Sequence, residues 1–237
     1  MSESSTRPVV LVTGGSRGIG RAVALRLAAT HHVLVGGRTV ESVEPVVAEL
    51  RALPGGSADG FVADLDDAAA TEAAVAGVER LDVLVHSAGI GMSGDVAEAS
   101  REQWRQVLET NVVAVADLTR MLLPRLRESR GQVVTINSGS GFNSGPGGGL
   151  YSASKFALRA FTDALREEVR GTVRVSSIHP GRVDTDMQVD LQSQMGRPYV
   201  AEEHLRPESV AEAVALTVLA SEEAMVETVS IRPVFKR

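Results

Sequence analysis

Short apolar runs rich in valine alternate along this chain with longer stretches whose apolar positions recur at helical spacing. Strands are predicted at Val9 to Thr13, His32 to Gly36, Gly60 to Ala63, Leu81 to Ser87, Gln132 to Asn137, Thr172 to Ile178, and near Val226 to Ile231. The first, Pro8-Val-Val-Leu-Val-Thr13, is continuously apolar, as a strand buried on both faces requires. Between the strands, helices are predicted over Gly18 to Ala29, Val40 to Ala52, Asp67 to Glu79, Ser100 to Arg127, Tyr151 to Arg170 and Pro207 to Ser221. Strand and helix in alternation imply crossover units, hence an α/β fold with a doubly wound parallel sheet of about seven strands and helices on both faces. Ligands of such sheets collect beyond the carboxyl ends of the strands, where strand order reverses. The segments that follow predicted strands should therefore meet on one rim.

Composition narrows the picture. At 237 residues with 43% hydrophobic positions, the chain can bury a core as one domain, expected over 8–237 after a polar, disordered tail at 1–7. A formal charge of -6 with dispersed basic residues argues against a nucleic-acid surface. Without cysteine there is neither a disulfide nor thiolate chemistry, which suits a reducing cytoplasm. The polar start lacks a signal core, and no run approaches the roughly 18 apolar residues of a membrane span. No histidine and carboxylate spacing suggests a metal site. His31 and His32 are expected at the surface, and His179 is expected to be a satisfied structural residue.

The first strand runs directly into Thr13-Gly-Gly-Ser-Arg-Gly-Ile-Gly20 and then into an alanine- and leucine-rich helix. Strand, glycine turn and helix together receive a phosphate: the glycines permit the turn and a close backbone approach, and free amides at the helix start supply donors. Gly14, Gly18 and Gly20 fall where those needs arise, so a Rossmann-like dinucleotide site is predicted.

Tyr151 and Lys155 stand four residues apart at the opening of a predicted helix, so phenol and ammonium share a face. A free phenol titrates near ~10, too high to trade protons at neutral pH. A fixed cation favours the phenolate; bringing the phenol to about 7 takes roughly 4 kcal/mol of differential interaction.

Taken together, these residues resemble the short-chain dehydrogenase/reductase family. Thr13 through Gly20 matches its Thr-Gly-x-x-x-Gly-x-Gly, Tyr151 and Lys155 its active-site pair, and Pro180-Gly-Arg-Val-Asp-Thr185 its Pro-Gly-x-Val-x-Thr segment. Ser138 matches the catalytic serine and Asn111 the helix asparagine. One departure stands out: His86-Ser-Ala-Gly89 replaces the family's Asn-Asn-Ala-Gly, leaving those hydrogen bonds to His86, Ser87 or the backbone. The resemblance implies an oxidoreductase in which Tyr151 passes a proton and Ser138 hydrogen-bonds the reacting oxygen. Lys155 would hold the nicotinamide ribose, and Asn111 a water of the proton path. By the same resemblance the cofactor would be met by Ser16 and Ile19 of the glycine loop, Asp64 and Leu65 after the third strand, and Ser87, Ala88 and Gly89 after the fourth. Pro180, Gly181, Val183 and Thr185 would complete its nicotinamide side. The helices around Ser100 to Arg127 and Tyr151 resemble the family's dimerisation pair, so a homodimer or homotetramer is expected.

Cofactor choice can be read at the second strand's end, where an NAD site places an acid on the ribose. Here Gly37 occupies that position and Arg38 and Thr39 follow, with Arg17 nearby in the glycine loop. A guanidinium meets a 2′-phosphate with paired charge-assisted hydrogen bonds, so NADP(H) is expected over NAD(H). Substrate is less defined. The six glycines between Gly139 and Gly149 and a lid at 186–206 carrying Met187, Leu191, Met195 and Tyr199 suit a medium-sized, partly apolar carbonyl compound or its alcohol. A non-catalytic NADP-binding redox sensor, and a lyase or epimerase on the same fold, remain alternatives.

Overall fold

The computed structural model describes residues 7–234. It contains the predicted doubly wound sheet: seven strands, all parallel, in the order β3-β2-β1-β4-β5-β6-β7. The strands are β1 (Val9–Val12), β2 (His32–Gly37), β3 (Ala58–Val62), β4 (Val83–His86), β5 (Gln132–Ile136), β6 (Arg174–Pro180) and β7 (Thr228–Ile231). The helices are α1 (Gly18–Leu27), α2 (Val40–Ala52), α3 (Ala68–Ala76), α4 (Arg101–Leu108), α5 (Ala114–Glu128), α6 (Gly149–Glu168), α7 (Asp186–Gln194) and α8 (Pro207–Val218).

The two-residue period of the strands divides the core. Val10 and Val12 point to one face, where they meet Val23 and Leu27 of α1, Val47 and Leu50 of α2, and Val210 and Val214 of α8. Leu11 points to the other, with Leu84, Val133 and Val175, against Leu118 and Leu122 of α5 and Leu165 of α6. Each central strand thus buries both faces, which is why β1 reads as an unbroken apolar run, while the polar Gln132 and Thr135 of β5 and His86 of β4 are buried with hydrogen-bond partners Ser176, Thr162 and Thr119. Strand order reverses between β1 and β4, so their carboxyl ends open a crevice there.

The structure corrects several expectations. The single helix expected over Ser100 to Arg127 is interrupted by a π-helical turn at Glu109–Val113. His31 is buried and pairs with Thr30 Oγ1 through Nδ1 at 2.8 Å, its pKa lowered by desolvation. His32 is half-buried, pairing with Ser57 Oγ at 2.7 Å and standing 3.2 Å from Asp59. Arg7, grouped with the tail, donates to the carbonyls of Ala28 and Ala29; the rest of that expected tail, 1–6, lies outside the described residues. The last helix ends at Val218, and the lid segment contains α7 and a short 3₁₀ turn at Ala201–Glu203. No helix among the described residues is long and apolar enough to cross a membrane.

Candidate active site

The glycine turn is built as its spacing requires. Gly14 has φ +61°, and a Cβ there would stand 2.9 Å from Ala88 Cα, so the turn lies directly against the segment after β4. A Cβ at Gly20 would come within 2.1 Å of the Gly14 carbonyl oxygen, which fixes how closely α1 abuts the turn. Thr13 supplies the link across the switch point: its hydroxyl oxygen accepts from the amides of Ser87 at 3.0 Å and Ala88 at 3.1 Å. Both bonds come from main-chain amides, so they do not depend on the side chains that depart from the family pattern at His86 and Ser87. His86 itself points away, pairing with Thr119 Oγ1 of α5 at 2.8 Å through Nε2, while its Nδ1 has no partner among the described residues. Complete burial drives its pKa down to about 3, so the ring is neutral.

Around this turn a cleft of about 550 Å³ is lined by Gly14, Ser16, Arg17, Gly18, Ile19, Gly20, Arg38, Thr39, Asp64, Leu65, Ser87, Ala88, Gly89 and Thr185. A second cavity, of about 340 Å³, is lined by Ser138, Tyr151, Pro180, Gly181, Val183 and Thr185. Ile19, Thr185 and Met187 border both, so the glycine cleft and the catalytic cavity adjoin along those side chains. Sequence reasoning missed Ser42, Phe61, Gln106 and Thr110 on the first, and Met92, Ser93, Ser152, Gln192 and Arg197 on the second. Thr110 directly precedes Asn111, and Gln106 lies one helical turn before Thr110, so a helical reading around Asn111 could have found both.

Two predicted catalytic residues line neither cavity. Lys155, buried on α6, donates to the Ile136 carbonyl at the end of β5 at 3.1 Å, and its ammonium stands 5.7 Å from the centroid of the Tyr151 ring. A Cβ at Gly89 would lie 3.9 Å from that ammonium and 3.0 Å from Asn111 Oδ1, so Gly89 is the thin partition between them and the cleft. Asn111 sits in the π turn, its Oδ1 accepting from Ile90 N at 2.9 Å and its Nδ2 donating to Ile90 O at 2.9 Å and Ser154 Oγ at 3.0 Å. The amide holds the loop after β4 to α6, and both its N–H groups are engaged.

The electrostatics differ from the simple expectation for the Tyr151–Lys155 pair. With protein groups alone around it, burial holds the phenol above its ordinary value, and only the Ser138 hydroxyl pulls it down. Desolvation brings Lys155 from 10.5 to about 8. Burial penalises both charged forms, and here that outweighs the mutual attraction the spacing suggested. Ser138 opens the turn Gly139–Gly141, and its Oγ accepts from Ser140 N at 3.1 Å, which leaves the hydroxyl proton free to donate. His179 supports this residue, as a structural histidine would: Nδ1 meets the Ser138 carbonyl at 3.0 Å and Nε2 meets Ser177 Oγ at 2.8 Å.

At the far end of the cleft Arg38 is exposed and has no side-chain partner among the described residues, while Thr39 caps α2 by accepting from Ser42 N at 3.3 Å. Arg17 pairs with Asp186 of α7 at 3.1 Å, both groups largely exposed. Asp64 accepts from Asp66 N at 3.2 Å. Val183 is buried and bridges to Leu205, and Thr185 caps α7. Among the described residues no group of three His, Cys, Asp or Glu could hold a metal.

A parallel sheet with a glycine turn at its switch point, adjoining a cavity that holds a serine and a tyrosine, defines a nucleotide-dependent α/β oxidoreductase. Comparison with known proteins agrees: the chain belongs to the short chain dehydrogenase family, whose model matches residues 8–196. A Streptomyces virginiae protein named as a provisional ketoacyl reductase of the monensin polyketide synthase is 40% identical over 197 residues, covering 79% of this chain and 74% of that one. An alcohol dehydrogenase of the archaeon Thermococcus sibiricus, complexed with 5-hydroxy-NADP, superposes with a TM-score of 0.88 at 28% identity, covering 97% of this chain and 98% of that one. A single-residue variant of the actinorhodin polyketide ketoreductase, with NADPH, gives 0.87 at 30% identity, with 96% of each chain covered.

Proposed function

We propose that the protein transfers hydride between NADP(H) and a carbonyl compound or the matching secondary alcohol, with Tyr151 as general acid and base. The observation that carries this reading is the shared wall at Ile19, Thr185 and Met187, which sets the Ser138–Tyr151 cavity against the glycine cleft. The cleft fits a dinucleotide: side chains are absent at Gly14, Gly18 and Gly89, where a Cβ would meet backbone or polar atoms or force a strained conformation. When bound, the nicotinamide supplies or accepts the hydride.

The residues then divide the remaining tasks. In reduction, charge gathers on the carbonyl oxygen, and Ser138 and Tyr151 are the donors in that cavity. A phenol held above its ordinary pKa keeps its proton at neutral pH, which suits a donor. Lys155, at about 8, exchanges protons near neutrality and can reload Tyr151 from behind the Gly89 partition. For the cofactor, Gly37 leaves no carboxylate at the end of β2 and Arg38 is unpaired among the described residues, so a 2′-phosphate is favoured over a bare ribose. Arg17 can join it because its exposed pair with Asp186 holds it only weakly.

The test is NADPH oxidation against a panel of carbonyl compounds, with NADH and Tyr151→Phe as comparisons. Turnover should favour NADPH and fall by about 10²–10⁴ in Tyr151→Phe, the range for loss of a general acid, with NADPH binding retained. A redox sensor would bind NADPH without turnover, and a lyase or epimerase would turn over substrate with no net NADPH consumption. We also propose a homodimer through the α4–α5 and α6 surface, where Val113 is 49% and Phe156 43% exposed; light scattering that finds only monomer would reject it.

A further inference from the structure

Among the described residues, the cavity that holds Ser138 and Tyr151 is lined by two charged side chains, Arg182 and Arg197, and by no aspartate, glutamate or lysine. Acidic residues outnumber basic ones in the chain, 30 to 24, so a wall whose charges are both guanidiniums runs against its composition. Both arginines are exposed, and neither has an ion-pair partner among the described residues. The acids that follow Arg182 are engaged elsewhere: Asp184 accepts from the Tyr199 hydroxyl, and Asp186 pairs with Arg17 at 3.1 Å. The backbone holds both positions. Arg182 O accepts from Leu205 N at 2.9 Å and Asp184 N donates to Leu205 O at 2.8 Å, which fixes that segment against the stretch before α8. The helix α7 ends in a Schellman turn: Gly196 has φ +62°, its amide donates to Ser193 O at 3.0 Å, and Arg197 N donates to Gln192 O at 2.9 Å. That turn folds position 197 back beside position 192, which lines the same cavity. The rest of the α7 wall is apolar at Met187, Leu191 and Met195.

We infer that Arg182 and Arg197 form an anion-recognition subsite of the catalytic cavity, so that the preferred substrates are carbonyl compounds carrying a carboxylate or a phosphate, and in reverse the corresponding anionic alcohols. This rests on the oxidoreductase reading above and narrows it. A guanidinium fork meets the oxygens of either group with paired, charge-assisted hydrogen bonds. Because both side chains are exposed, an entering substrate reaches them without opening the core. The subsite is separate from the cations that face the cofactor, since Arg17 and Arg38 line the glycine cleft and not this cavity. The apolar α7 wall is left to the body of the substrate.

The test uses the full chain with NADPH and two kinds of matched pair, an oxo acid with its methyl ester and a keto phosphate with its parent hydroxyketone. The native protein is compared with Arg182→Gln, Arg197→Gln and the double variant. The native protein should favour the anionic member, and the pair that responds tells carboxylate from phosphate. In the double variant the anionic-to-neutral ratio of kcat/KM should fall about tenfold or more, a factor equal to about 1.4 kcal/mol, with the loss carried by KM for the anionic member. Arg197→Lys, which keeps the charge, should lose less than Arg197→Gln, and added salt should weaken the native preference because both guanidiniums are exposed. Melting temperatures should stay near the native value, as expected for exposed positions. The inference is overturned if the native protein shows no preference for the anionic member of either pair, if the native ratio survives in the double variant, or if both members lose equally. Absence of NADPH oxidation with every carbonyl tested refutes the underlying activity and this inference with it, and is distinguished from the other failures by that silence.

Discussion

Replacing Lys155 by methionine should abolish turnover and yet stabilise the fold near neutral pH. The ammonium is buried and its pKa is depressed from 10.5 to about 8 by desolvation. At pH 7 both folded and unfolded chains carry the proton, and holding that charge inside costs about 3 kcal/mol, from the gap between the two values at 1.36 kcal/mol per pH decade. Methionine removes the charge but loses the bond to the Ile136 carbonyl, worth about 1 kcal/mol. The net expectation is a gain of about 2 kcal/mol, or roughly 4–8 °C in Tm for a chain of this size. The sign is checked by pH. Between about 8 and 10.5 the unfolded chain binds the proton that the folded chain has released, so stability of the native protein rises with pH across that window. By pH 10 the cost has shrunk to less than about 1 kcal/mol, and the advantage of Lys155→Met should vanish or reverse. Urea titrations of both proteins at pH 7 and pH 10 measure this directly. A variant no more stable at pH 7, or one with the same gain at both pH values, would refute the reasoning.

Thr13→Val preserves shape while removing the acceptor for Ser87 N and Ala88 N; with two backbone donors left short, urea denaturation should show a loss of about 2–4 kcal/mol. His86 binds no proton until about pH 3 when folded but near 6.5 when unfolded, so its neutral burial contributes stability that is lost as pH falls below 6.5. His86→Gln should therefore lose less stability between about pH 6.5 and pH 4 than the native protein, as followed by circular dichroism. Arg38→Ala should raise KM for NADPH by about 10-fold or more while leaving KM for NADH within about twofold, in keeping with loss of a charge-assisted phosphate contact; equal effects on both would remove the argument for NADP(H).

The parts of this protein written in local pattern were legible from it. Val10 and Val12 against Leu11 imply two faces to cover, and the alternation with helical stretches then leaves little choice but a doubly wound sheet. Gly14 and Gly20 answer contacts across one strand pair and within a few residues, whereas the neighbour of Gly18, Thr185, lies far along the chain. What escaped depends on partners distant in sequence. Nothing in Glu109-Thr-Asn-Val-Val113 breaks a helix: it has neither proline nor glycine. The wide turn there accompanies Asn111 bonding Ile90 and Ser154, and neither partner is visible from the helix itself. Thr13 could be matched to a motif, but its service to Ser87 and Ala88 exists only because β1 and β4 are neighbours.

The Tyr151–Lys155 pair shows the same boundary in its energetics. Four residues of spacing on a helix establish that phenol and ammonium lie on one face, and a charge acting alone would then make the phenol more acidic. Whether it does depends on how much water each group has lost, which is a property of α6 packed against β5 and not of the spacing. Burial is severe enough here to move both groups toward their neutral forms, which leaves the proton on the phenol and brings the lysine close to releasing its own. Such a pair is prepared to give a proton to an oxygen that is gaining charge. In the proposed mechanism the reverse step, proton abstraction from an alcohol, needs the phenol ionised against its burial, so it should gain rate with rising pH where the reduction loses it.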